Sequence, residues 1–107
     1  ATTSGNDGAA NVTVAIPVNR SATYRVMAIG HASGASASYT YTGGIRRGAT
    51  GGASNIFTTI RDGGPINQNF GTNAATASGN NLQITVAHEG SMTMNWTIFV
   101  QMVWEVP

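Results

Sequence analysis

Every even position from Trp96 to Val106 is apolar: Trp96, Ile98, Val100, Met102, Trp104 and Val106. A strict period of two places all of them on one face of an extended strand, and no helix could gather them. The intervening residues, Thr97, Phe99, Gln101, Val103 and Glu105, put two more large apolar groups on the opposite face, where water disfavours them. A strand that is apolar on both sides needs cover on both sides. The segment Ala22 to His31 repeats the pattern, with Tyr24, Val26 and Ala28 on one face and Arg25, Met27, Ile29 and His31 on the other. These two strands are therefore expected in the more enclosed sheet. A chain of 107 residues has few elements with which to cover both faces, and buries only a moderate share of its surface when it folds alone. The missing cover for Phe99 and Val103 is expected from further copies of the same chain.

The remaining segments also read as strands. Val12, Val14, Ile16 and Val18 alternate with Asn11, Thr13, Ala15 and Pro17, which predicts a half-buried strand whose ladder is interrupted near Pro17. Tyr39 and Tyr41 share one face of a strand over Ser38 to Thr42. Gly43-Gly44 and Gly51-Gly52 bracket Ile45 to Thr50, a spacing that suits an exposed excursion between strands. Ile56 to Arg61 is a further strand, ended by Asp62-Gly63-Gly64-Pro65. Ile66 to Phe70 and Ala74 to Ser78 are weaker candidates, and Leu82, Ile84, Val86 and His88 alternate cleanly again. No long segment has apolar residues at the three-and-four spacing of a helix. Roughly six to eight short strands predict an all-β fold, a jelly-roll-like antiparallel β-sandwich with essentially no helix. It is read as one domain over residues 11–107, and the small, polar residues 1–10 as a tether from a longer chain.

Composition narrows the function. Charged residues make up 8% of the chain, and the five basic residues are all arginines: Arg20, Arg25, Arg46, Arg47 and Arg61. Only Arg46 and Arg47 are adjacent, and a net charge of +1 is too little for phosphate-backbone binding, so nucleic acid is not an expected partner. No apolar run approaches the roughly eighteen residues of a membrane helix, and membrane insertion is not expected. With no cysteine, stabilisation must come from packing or assembly rather than from disulfides.

Catalysis is not expected. The carboxylates Asp62 and Glu89 could flank a glycosidic bond if the fold brought them together, but each directly precedes a glycine and reads as a turn residue. His31 and His88 lack the neighbouring donors that a metal needs, and no metal or other cofactor is expected. A saccharide site suits the composition better, because sugars are held by aromatic faces against C–H surfaces and by planar polar groups that bond hydroxyl pairs. Candidates are Tyr39 and Tyr41, the adjacent Arg46 and Arg47, and Arg61, Asp62, Asn67 and Gln68 around the following turn. The competing reading makes the tyrosines core or interface residues and the arginines surface or inter-subunit partners.

The glycine- and serine-rich opening, the sparse charge, and the ending Asn80-Asn81-Leu82-Gln83-Ile84-Thr85-Val86 with Asn95-Trp96-Thr97-Ile98-Phe99-Val100 together resemble the C-terminal head or tip domains of bacteriophage tail fibres and tailspikes. The resemblance is one of pattern over Val12 to Val106. It implies a homotrimeric jelly roll with its last strands near the threefold axis. It further implies a place in the virion tail, outside the cell when acting, and a role in holding chains in register, in recognising a host cell-surface polysaccharide or other glycan, or in both. A purely structural trimerisation cap and a carbohydrate-binding module of a secreted bacterial protein are the alternatives.

Overall fold

The computed structural model describes residues 2–5, 8–62, 74–88 and 91–105. They form β1 (Thr2–Thr3), β2 (Ala9–Ala15), β3 (Arg20–Ala32), β4 (Ala35–Arg47), β5 (Ala53–Asp62), β6 (Ala74–Ser78), β7 (Asn81–Ala87) and β8 (Met94–Trp104), with no helix. Two antiparallel sheets face each other, one in the order β1-β8-β3-β4-β5 and the other β2-β7-β6. The all-β sandwich expected from the period-two pattern is the fold. β8 returns to lie between β1 and β3, and β7 beside β2, whereas β3, β4 and β5 run as a meander within one sheet.

Alternation decides which face is inside. On β3 the buried residues are Ala22, Tyr24, Val26, Ala28 and Ala32; on β4 they are Ala37, Tyr39, Tyr41 and Ile45; on β8, Met94 and Trp96. They meet Leu82, Ile84 and Val86 of β7 and Ala75 of β6 in one core, with Ile98, Val100, Met102 and Trp104 packed more loosely at its margin. Tyr39 stacks on Tyr41 at 6.0 Å and on Trp96 at 6.2 Å between ring centroids, so three aromatic rings span β4 and β8 across β3. Offset stacks of this kind add roughly 0.5–1.5 kcal/mol beyond the area they bury.

Three local expectations give way here. The strand expected over Asn11 to Val18 ends at Ala15. Pro17 has no N–H for the ladder, so the chain leaves the sheet with Ile16 buried, Val18 exposed and Asn19 in the left-handed region at φ 58°. The expected excursion from Gly43 to Gly52 shrinks, because β4 runs on to Arg47 and carries Gly43-Gly44 in its interior. Gly43 faces Tyr24 across the β3–β4 pair, and a Cβ there would overlap the phenol oxygen and Cζ of Tyr24. Glycine is what lets the Tyr24 ring lie flat over β4. Gly43→Ala should therefore lower stability by about 1–3 kcal/mol through overpacking, measured as a shifted urea midpoint with an unchanged slope. The opening residues, finally, are not tether throughout: Thr2 and Thr3 pair with Asn95 and Met94 of β8, and β2 already begins at Ala9.

Side chains and loop carbonyls close the seams between the sheets. On one side Asn55 of β5 donates to Thr76 Oγ1 at 2.9 Å and accepts from the Ala77 N–H of β6 at 3.0 Å, while Ala53 N–H donates to Gly79 O at 2.8 Å. On the other, Thr3 Oγ1 lies 2.6 Å from His88 Nδ1, and Trp96 Nε1–H donates to Thr3 Oγ1 at 3.0 Å. Edge strands that would otherwise present open backbone to each other are thereby tied.

Candidate functional site

The inner face of the larger sheet is filled, so the surface with functional potential is its outer face. Strand register arranges this face in rows. Ile29 lies beside Thr97, Met27 beside Phe99, Arg25 beside Gln101, and Thr23 beside Val103; on β4 the same rows continue as Ser38, Thr40, Thr42 and Gly44. Four large apolar side chains stand in solvent here: Phe99 is 55% exposed, Val103 64%, Ile29 55% and Met27 41%. The surplus apolar groups of β3 and β8 thus lie on the uncovered side of two adjacent strands, and among the described residues β8 is flanked on its far side only by the two-residue β1, at Met94 and Asn95.

The exposed groups fall into two regions. Ile29, Met27 and Phe99 form a patch toward the β3–β4 hairpin. The Arg25–Gln101 row separates it from Val103, which lies about 13 Å from Phe99 along β8 at about 3.3 Å per residue. Around Val103 the face is recessed. A groove of about 260 Å³ opens there, lined by Ser21, Thr23, Ile56, Val103, Trp104 and Glu105 among others. Its geometry follows from β4 and β5. Gly44 contributes no side chain beside Thr23, and the pairing slips from Ile45↔Asn55 to Gly44↔Phe57, which leaves Ile56 as the extra residue of a bulge. A bulge re-aims a side chain that the pleat would have turned elsewhere; Ile56 is exposed and lines the groove opposite Val103.

Among the described residues, Tyr39, Tyr41, Arg46 and Arg47, all expected to bind saccharide, do not share one face. Tyr39 and Tyr41 are only 1% and 2% exposed, on the inner face of β4. Their alternation with serine and threonine marks a half-buried strand whose aromatic side is the core side, so they are core residues and not a ligand platform. Arg47 points back into the fold, donating from Nη1 to Ile16 O at 3.1 Å and from Nε to Gly51 O at 3.2 Å. Arg46, on the other side of the strand, is exposed and pairs with Ser21 in the register. Arg61 and Asp62 fall at the end of β5, opposite Tyr41 and Thr40; Asn67 and Gln68, like Glu89 and the weaker strand Ile66 to Phe70, lie outside the described residues. Among the described residues no three His, Cys, Asp or Glu side chains converge on a metal position, and no helix is long and apolar enough to cross a membrane.

Trp104, on the same apolar face of β8 as Trp96, is half-buried, packs at the core margin and borders the groove. Glu105 and Ile56, which sequence reasoning did not single out, belong to the same groove.

The two arginines make opposite predictions. Arg47→Ala removes two hydrogen bonds that hold the turns after β2 and β4 together, and should lower stability by about 1–2 kcal/mol. Arg46→Ala should leave the thermal midpoint within about 1 °C, as expected of an exposed side chain away from packing. Thermal melts of the two variants side by side check this.

Comparison of the chain with protein-family models, with curated proteins and with solved structures yields no match.

Proposed function

We propose that this domain is a homo-oligomeric head module of the kind found at the ends of bacteriophage tail fibres and tailspikes. Copies of the chain associate, as a trimer, through the outer face of the larger sheet around Ile29, Met27 and Phe99. The reading is carried by one observation: these three large apolar side chains are exposed next to one another, beside Thr97, Ser38 and Thr40, with Arg25 and His31 two residues beyond them on β3. Contiguous exposed apolar groups rimmed by neutral polar ones are the composition of a contact surface, and charge depletion at the centre is its usual signature.

In this role the domain acts by binding and not by catalysis. It holds chains in register at the tip of a fibre and presents its loops and remaining surface to a host cell, whose glycan is the partner of the same reading. The wrapped order of β1-β8-β3 and β2-β7 supports a jelly-roll derivative in which the β3–β5 meander enlarges one sheet. Light scattering coupled to size exclusion tests the assembly: the expected mass is three times the 11.0 kDa of the chain. A monomer at micromolar concentration would overturn it.

A further inference from the structure

We infer that the groove bounded by Val103, Ile56 and Trp104 is a saccharide subsite, taking a single neutral pyranose ring of a glycan. The inference uses residues other than the association patch, and rests on the head-module reading only for the source of the sugar.

Three features of the groove select this ligand. Its volume of about 260 Å³ lies below the roughly 300–1,000 Å³ of sites for drug-sized ligands, and so admits one ring. Its walls are mixed in a particular way: Val103 and Ile56 stand on either side of the recess at Gly44, and Trp104 borders it on β8. C–H faces of a pyranose pack on such apolar groups. Its polar end carries both signs of charge. Glu105 and Ser21 line the groove, the Glu105 N–H donates to Ser21 O at 2.9 Å, and Arg46 stands exposed beside Ser21 on β4. A phosphate or carboxylate would meet the Glu105 carboxylate, and an ammonium would meet the Arg46 guanidinium. A neutral polyol suits both: its hydroxyls donate to Glu105 and accept from Arg46, while the hydroxyls of Ser21 and Thr23 do either. The residues that bond the sugar are then Glu105, Arg46, Ser21 and Thr23, and those that pack on its C–H face are Val103 and Ile56.

The site is compatible with association. A contact of standard size, roughly 800 Å² per partner, has a radius of about 16 Å. Centred between Met27 and Ile29 it reaches only the Val103 row, about 17 Å away along the strands, so the sugar enters from the Glu105 end.

The test is an NMR titration of the ¹⁵N-labelled full chain with the methyl glycosides of glucose, galactose, mannose, rhamnose and N-acetylglucosamine, each to tens of millimolar. At least one should give saturable shifts centred on the amides of Ser21 to Thr23, Ile56 and Val103 to Glu105, with those of Ile29 and Asn95 unmoved. Glu105→Gln and Arg46→Ala should each weaken that binding about tenfold without changing the assembly mass. Phe99→Asp should change the mass and leave the binding constant within about twofold, which separates failure of this inference from failure of the assembly reading. Silence with all five glycosides would overturn the inference. So would shifts indifferent to both groove variants, binding lost together with assembly, or saturable binding of inorganic phosphate or methylammonium at the same amides.

Discussion

Phe99→Asp abolishes association and leaves a folded monomer. This is the expected result of placing a carboxylate in the middle of the exposed patch. Phe99 is 55% exposed in the isolated subunit and lies directly opposite Met27, so its ring contributes little to the core and Asp in its place keeps its hydration when the chain is alone. In a copy–copy contact the same carboxylate would be desolvated against Met27 and Ile29 without a partner. Central aromatic positions in interfaces typically contribute about 2 kcal/mol or more, which is a loss of at least about 30-fold in the association constant, and a buried unpaired charge adds to that. Light scattering across a tenfold dilution should show the wild type holding its mass and the variant at monomer mass. Circular dichroism should show the same sheet content and a thermal midpoint that no longer rises with concentration. An unchanged mass would place the contact elsewhere. Val103→Asp, across the Arg25–Gln101 row, should have a much smaller effect on mass.

How far the sequence reached can be argued from the same strands. Periodicity identified β3, β7 and β8 and sorted their residues into the two faces that the fold uses, because alternation is a direct consequence of burying one side of a pleat. It also separated Phe99 and Val103 from the core. Length implies that one chain leaves both without cover, but not that a polar row parts them, since that depends on which residues of β3 fall beside which residues of β8. Gly43 was taken for punctuation, the usual meaning of paired glycines. Its reason, the Tyr24 ring on the neighbouring strand, is a cross-strand contact invisible to a local reading. Tyr39 and Tyr41 show the same limit: two tyrosines in a serine- and threonine-rich strand serve a core or a sugar equally well until the facing sheet is known. The groove was the least legible part. Ile56 faces it only because the bulge adds one residue to β5, and nothing in Ala53 to Asn55 marks a bulge.

Trp96→Ala should be the most destabilising single change, lowering stability by about 3–5 kcal/mol through cavity formation, because Trp96 belongs at once to the aromatic stack and to a buried polar chain. Its ring lies over Gly30, where a Cβ would come within 2.8 Å of the indole, and stacks with Tyr39. Its Nε1–H donates to Thr3 Oγ1 at 3.0 Å. Gly5 O can only accept, so His88 Nε2–H donates to it at 2.9 Å, and Nδ1, the bare nitrogen of that tautomer, accepts from the Thr3 hydroxyl at 2.6 Å. The approach of Gly8 N–H to Nε2 at 3.3 Å would need the opposite tautomer; the two shorter contacts decide against it. The chain links β8, β1 and the end of β7, so a two-residue strand is held by side-chain bonds as much as by its own ladder. Trp96→Phe keeps most of the packing and removes only the donor. It should lower stability by about 1–2 kcal/mol, and so should Thr3→Val, which leaves His88 Nδ1 buried without its proton. The two changes strike the same bond, so the double variant should be less destabilised than the sum of the singles by about 0.5–1.5 kcal/mol. Urea titrations of the four proteins measure that coupling, and strict additivity would show that the hydrogen bond from Trp96 to Thr3 contributes nothing.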